Sequence, residues 1–511
     1  MEALIFFFIF LLTLTFVKWY LKRRENFRRF EKLGIPGPKP SFLFGNCFDL
    51  IRLGKKFEVD WFLKYGPIYG YFFGTTPIVV VLNPEFLKII EVKKAQIFHR
   101  RNSVIPNAAV PNPVFKFSTS VNSGPIWKEA RDMITPTFTT SKLKTMTNAI
   151  NQTIEENWKE MKEIIENKET LDVKEIFSTT VADITFKTLF GIKINEKKRV
   201  VQSLNYAFDT NLINPINFIS LCLPEVMNVF YYIRVWYHTV KYYLSSPSML
   251  DIYNMCQDAI SARLSVYKSN YIDLLQHMID PIFKKKKVIF SQETENSESK
   301  TEKSLLTEID CISNSFYAAV TAYDTIRNPV IFATYYIAKY PEIQERIREE
   351  ISQYNNKEET IDYSTLSKLK YLDQVFCETL RMFPPAPNFI NRVAEEDYVY
   401  KNILIPKNMT IIVPQYGLHR NPVYWTDPDE FKPERFEDKS NINPYIYQPF
   451  GIGPRHCSGM RLGQLIVKLI LANLVKSFKF SLCPETNKLE PSFDFVVTHS
   501  KHPVYIKATP N

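Results

Sequence analysis

At 511 residues the chain is long enough for two or three average domains or one unusually large one. Hydrophobic, charged and aromatic shares of 45%, 23% and 14% exclude a disordered or collagen-like chain. A net charge of +10, from 64 Lys and Arg against 54 Asp and Glu, is too small and too dispersed for a nucleic-acid binder. Seven scattered cysteines with no Cys-x-x-Cys pair encode neither a disulfide framework nor a zinc knuckle, which fits a reducing compartment.

The first element is apolar. Ala3 to Leu21 carries one charge, Lys18, and 19 residues at ~1.5 Å each reach about 28 Å, enough for a hydrocarbon core of ~30 Å. Lys22, Arg23, Arg24, Arg28, Arg29 and Lys32 follow it and only Glu2 precedes it, so the positive-inside rule predicts a cytosolic body behind a spanning helix. On that topology the sequons at Asn151 and Asn408 stay bare. Gly34 to Pro40 holds three prolines and predicts a stiff hinge. The expected division is therefore an anchor at 1–24, a basic and proline-rich hinge at 25–45 and a catalytic body at 46–511.

The β-rich runs on either side of Gly74 predict a hairpin between Ile68 and Leu82. Residues 127 to 270 are mostly helical in pattern. Within them, the apolar stretch from Ile213 to Tyr243 fits core packing and a membrane-resting surface equally well. Lys284 to Lys287 and Ser291 to Ser304 predict a solvated loop. A long apolar helix is expected from Ile309 to Tyr340, a second from Glu342 to Ile351 behind Pro341, and a last one near Met460 to Phe478. Helices with a minor sheet segregated to one part are the α+β pattern, mainly α.

Chemistry concentrates at Phe450-Gly-Ile-Gly-Pro-Arg-His-Cys-Ser-Gly459. Gly451 and Gly453 permit turns closed to other residues, and Gly459 removes a side chain where a helix begins. Cys457 then sits at a helix start, where free N–H groups and the helix dipole favour a thiolate. No complete dinucleotide fingerprint or phosphate loop occurs, so electrons from a nicotinamide require a partner.

This segment resembles the haem-thiolate signature Phe-x-x-Gly-x-Arg-x-Cys-x-Gly of the cytochrome P-450 superfamily at every fixed position. The likeness implies Cys457 as the iron ligand, Phe450, Gly451 and Gly459 as the loop around it, and Arg455 on a haem propionate. Glu378-Thr-Leu-Arg381 and Pro433-Glu-Arg-Phe436 resemble two further motifs of the family, which implies a structural ionic triad of Glu378, Arg381 and Arg435. Trp127-Lys-Glu-Ala-Arg131 resembles the family's Trp-x-x-x-Arg helix, which implies propionate contacts from Trp127 and Arg131, joined by Arg392 and by Arg100 or its neighbour Arg101. Thr321-Ala-Tyr-Asp-Thr325 resembles the oxygen-binding groove, with Thr325 and Asp324 as catalytic proton carriers. Thr321 and Ala322 depart from that pattern. Pro329 removes the hydrogen bond to the Thr325 carbonyl and predicts a bend. His456 and His419 need no chemical role.

The texture is most similar to the 3A-like microsomal branch. The resemblance implies the P-450 fold, haem b (iron protoporphyrin IX) and a single-pass protein of the endoplasmic reticulum membrane. It implies insertion of one oxygen atom of O2 into a lipophilic xenobiotic, steroid or fatty-acid-like molecule. Electrons would come from NADPH through NADPH-cytochrome P-450 reductase, with cytochrome b5 as an optional second donor. Two other readings keep the haem: an O2-independent isomerase of lipid peroxides and a noncatalytic membrane haem protein.

Overall fold

The computed structural model describes residues 1–101, 118–120, 122–167, 170–205, 215–226, 247–266, 273–280, 307–354, 359–486, 488–493 and 496–511, with isolated positions between 229 and 244. The expected loop at Lys284 to Lys287 and Ser291 to Ser304 lies outside them.

The body is built around the helix Glu308–Lys339, which starts where Thr307 N donates to Asp310 Oδ2 at 2.8 Å, half of a capping box. It is buried along most of its length and packs against Val173–Phe190 on one side and Met460–Ser477 on another. In Met460–Ser477 the residues Leu462, Leu465, Ile466, Leu469 and Ile470 are buried, the stripe that their spacing encodes. Pro341 opens the helix Pro341–Tyr354, and Lys370–Met382 turns its inner face to the same core.

A second, smaller core surrounds a four-stranded sheet. Ile68–Phe73 and Thr76–Val81 form the expected antiparallel hairpin about Gly74, whose φ of 59° suits glycine. Thr410–Ile412 joins the second strand in parallel, and Asn391–Val393 adds antiparallel to that. This last strand carries Arg392 to the seam between sheet and helices. The result is mainly α with small sheets, as the pattern predicted.

The N-terminal segments are tied to the body. The apolar helix runs Glu2–Phe27, so it passes through the expected boundary at residue 24, and within it Leu4–Phe27 is long and apolar enough to cross a membrane. Arg23 is not a solvated flanking charge: it is buried and donates to the carbonyls of Phe42 (2.7 Å), Leu43 (2.6 Å) and Cys222 (2.6 Å). The stiff proline segment is docked as well. Gly70 N donates to Pro36 O at 2.8 Å, and a Cβ on Gly37 would lie 1.9 Å from Gly70 O, so the segment is seated on the sheet. Prolines stiffen a chain, but the sheet edge offers hydrogen bonds that dock it.

The apolar stretch beginning at Ile213 divides. Leu221 and Cys222, at the end of the helix Pro215–Cys222, are buried, whereas Tyr232, Trp236 and Tyr243 are exposed. Asn151 is buried and donates to Ile361 O at 2.8 Å, so its sequon is closed by folding as well.

Candidate functional site

The chain after Phe450 turns at Gly451 and Gly453, with φ of 70° and 72°, and Cys457 N donates back to Phe450 O at 2.8 Å. Gly453 is fixed by crowding as well as by φ, because a Cβ there would lie 1.9 Å from Glu91 O. Cys457 thus stands just before Met460–Ser477, and its side chain opens into an interior cavity of about 260 Å³. It is accessible from that cavity while protein surrounds it. Burial pushes the thiol above its ordinary value, opposed by the Gly459 amide, Arg131, Arg101 and the Met460 amide. The amides at the helix start favour the thiolate, as expected, and burial opposes them.

Four guanidiniums, from Arg101, Arg131, Arg392 and Arg455, line the same cavity. Arg455 lies over the Trp127 ring at 4.1 Å and donates to Asn122 O at 2.8 Å, yet its buried Nε has no partner among the described residues. Arg101 donates to Arg455 O at 3.0 Å and also keeps an unpartnered, buried Nε. Burial, then mutual repulsion, lowers both: Arg101 to about 9, chiefly against Arg392, and Arg455 to about 9, against Arg101, Arg392 and Arg131. Arg131 donates to His456 O at 2.8 Å and to His456 Nε2 at 3.1 Å, while His456 Nδ1 meets Gly453 O at 2.8 Å. His456 thus orients Arg131, a role its place in the motif did not reveal.

Arg100 is the correction here. Its Nη2 donates to Asn408 Oδ1 at 2.5 Å and its Nε lies 4.0 Å from Glu395, outside the cavity. Neighbouring residues of an extended chain face opposite ways, and the Arg100–Val393 bridge sets which of the two turns inward.

Behind the loop, Glu378 receives Arg381 Nε at 2.7 Å and Nη2 at 2.8 Å, takes Lys432 N at 2.8 Å, and lies 3.4 Å from Arg435 Nε. Arg381 also donates to the carbonyls of His419 (2.9 Å), Pro428 (2.8 Å) and Glu430 (3.0 Å). Every strong donor of this buried fork is used, which is what a buried charge requires. His419 is held neutral, with burial and then Arg381 pushing it down to about 3, and its Nε2 accepts from Gln448 N at 3.1 Å. Its role is structural.

The long helix contributes Ala318, Thr321, Ala322, Thr325 and Ile326 to the same cavity wall. Thr325 Oγ1 donates to Thr321 O at 2.6 Å, and Thr321 Oγ1 to Tyr317 O at 2.7 Å. Asp324 does not line the cavity. It is buried on another face, 2.7 Å from Arg327 Nη2, and Arg327 is tied in turn to Tyr323 and Asn205. Residues one apart on a helix point ~100° apart, and the wall takes Thr325 with Ile326 on one side of it, which turns Asp324 on the other side away from the cavity. The signal was in the sequence: Arg327 stands three residues on, at ion-pair spacing. Pro329 lies inside the helix, which continues through it to Lys339.

A cysteine sulfur, an apolar helix wall and four guanidiniums, two of them with an Nε that has no partner among the described residues, share one cavity and suit a flat, largely apolar ligand with anionic arms. The open space at Gly459, where a Cβ would meet nothing within 4 Å, leaves room for it beside the sulfur. The Cytochrome P450 family model matches residues 35–507. Cytochrome P450 3A6 of Oryctolagus cuniculus is 31% identical over 484 residues, 93% of this chain and 91% of its own length. Cytochrome P450 3A28 of Bos taurus is 30% identical over 509 residues, covering 98% and 95% of the two chains. Cytochrome P450 3A5 of Homo sapiens is 29% identical over 486 residues, covering 93% and 91%. A cavity of this chemistry, inside a domain matched almost from end to end, makes the chain a member of the cytochrome P450 family, a haem-thiolate monooxygenase.

Proposed function

We propose a membrane-anchored monooxygenase that holds haem b through Cys457 and hydroxylates lipophilic small molecules with electrons from NADPH, delivered by a reductase. The observation that carries this reading is that Cys457 and the apolar, threonine-bearing wall of the long helix line one cavity. Bound thiolate-ligated haem supplies the activation of dioxygen. The chain's own residues do the rest. Arg101, Arg131, Arg392 and Arg455 bind and orient the cofactor's carboxylates, Trp127 supports Arg455, and Phe450 and Gly451 close the loop around the sulfur. Burial opposes ionisation of Cys457, and a bound metal cation would favour the thiolate there. The apolar wall favours a drug-, steroid- or fatty-acid-like substrate, and in this reading the enzyme is microsomal and cytosol-facing, served by a reductase and, optionally, cytochrome b5.

Protons reach dioxygen through hydroxyls in this reading, with Asp324 a support for the helix through Arg327. Thr325 gives its proton to the Thr321 carbonyl, which leaves its lone pairs to hold a water facing the cavity. Thr325→Ala is expected to keep the fold and NADPH consumption while product per NADPH falls roughly tenfold and hydrogen peroxide rises. That is less than the ~10²–10⁴ of a sole proton donor, because Thr321 lies one turn away and substitutes in part. Product, NADPH and peroxide measured together in a reductase-reconstituted system check it. Full coupling in the Thr321→Ala, Thr325→Ala double variant would count against the groove and favour the peroxide isomerase, and an absence of product with every lipophilic substrate tried would favour the noncatalytic reading.

The anchor has its own test. Removing residues 1–17 spares Trp19, which donates to Glu225 at 2.9 Å, and Arg23 with its three carbonyls. This truncation is expected to keep haem binding and thermal stability while shifting the protein from the microsomal pellet to the soluble fraction. A deletion that also removes Arg23 leaves those carbonyls without their shared donor and is expected to be less stable by about 1–3 kcal/mol. Equal melting temperatures for the two truncations would rule out the proposed docking.

A further inference from the structure

One carboxylate stands behind the arginine cavity, and nothing in the reading above uses it. Glu91 is buried, 1% exposed, between the buried Ile90 and the cysteine loop, where its backbone carbonyl meets Gly453. Neither carboxylate oxygen has a hydrogen-bond partner among the described residues. The nearest cation is Arg392, whose Nη2 lies 3.6 Å from Glu91 Oε1 while its Nη1 donates to Asn391 O at 2.8 Å. Arg101 is the other charged group acting on it, and the neutral side-chain amide of Gln448 lies close enough to favour the carboxylate without making a well-formed hydrogen bond. Burial pushes the carboxyl up to about 7, against Arg392, Gln448 and Arg101.

Packing does not ask for an acid here. Leu87 and Ile90 on the same segment are fully buried, and an apolar side chain at 91 would avoid the cost of an unpartnered polar group. The acid makes sense as a charge. Four guanidiniums line the cavity, and the two carboxylates of a bound haem leave a cationic surplus beside the porphyrin edge. In a low-dielectric site such a surplus acts strongly on any group that gains an electron. We propose that Glu91 is a positioning residue which, acting through Arg392, offsets that surplus and holds down the reduction potential of the bound haem. This rests on the haem-thiolate reading of Cys457.

The test uses the full-length, haem-loaded protein with Glu91→Gln, Glu91→Leu and Glu91→Asp. The midpoint potential is read from the Soret band during a reductive titration above neutral pH, and the reduced carbon monoxide spectrum is recorded for each. Gln and Leu are expected to shift the midpoint to more positive values by a similar amount, while Asp, which keeps the charge, stays close to the parent. If Gln fails to load haem, Leu alone decides. Parental potentials in the neutral variants, with the red-shifted carbon monoxide band intact, would overturn the proposal. So would loss of haem from both neutral variants with retention in Asp, which makes the charge a folding requirement. A parent protein lacking the red-shifted band would remove the thiolate premise instead, a failure visible before any variant is made.

Discussion

Cys457→Ser is expected to abolish the red-shifted Soret band of the reduced carbon monoxide complex and to take monooxygenase turnover to background, with the fold retained. The other six cysteines are buried away from the cavity, so none of them can substitute. At position 457 the Gly459 and Met460 amides, with Arg131 and Arg101, already work against the burial that disfavours the thiolate. A serine hydroxyl in the same place starts from a far higher pKa, and the same groups are too weak to ionise it. The fold should survive, since the loop is held by backbone: Cys457 N to Phe450 O and His456 N to Gly453 O. Absorbance of the reduced carbon monoxide complex, alongside total haem and circular dichroism, checks each part. Retention of the parental band would transfer the ligand role away from Cys457.

Glu378→Ala is expected to be the most damaging change outside the cavity, costing about 3–5 kcal/mol because it leaves a buried guanidinium without its carboxylate. Arg381 and Glu378 are both 0% exposed, so no solvent can take over. Against a total stability of ~5–15 kcal/mol for a folded domain, that loss threatens accumulation of haem-loaded protein altogether. Arg381→Lys is expected to fail nearly as badly. Arg381 spends its fork on Glu378 and on the carbonyls of His419, Pro428 and Glu430, and a lysine ammonium cannot reproduce that spread. By contrast Arg435→Gln, at the edge of the cluster and already bound to Asp427 O, should cost about 1–2 kcal/mol. Urea unfolding with haem absorbance and tryptophan fluorescence as separate probes measures all three. A Glu378→Ala protein within about 1 kcal/mol of the parent would show that the cluster is not what holds this side of the fold.

Much of this was written in local sequence. The 3.6-residue period fixes which side of Met460–Ser477 is buried, the spacing of three puts Glu378 and Arg381 on one helical face, and the glycines of the cysteine loop are needed wherever the backbone turns through positive φ. The apolar run at the N-terminus encodes a membrane-length helix by itself. These are properties of a residue and its near neighbours, so no partner from elsewhere in the chain was required to see them. What tertiary structure alone decided was every choice between equivalent local options. Arg100 and Arg101 are interchangeable until the bridge to Val393 sets the register and sends Arg101 inward. Asp324 and Thr325 are one motif in sequence, but the helix rotates them onto different faces, and packing decides that Thr325 meets the cavity while Asp324 meets Arg327. Arg23 belongs to a basic flank until folding brings Phe42, Leu43 and Cys222 around it, and Glu91 is one acid among many until a sheet strand delivers Arg392 beside it. For Arg23 and Glu91 the deciding energy is the desolvation of a charge, which depends on groups such as Cys222 and Arg392 that lie far off in the chain and so leave no local signature, whereas Asp324 finds its partner Arg327 three residues on.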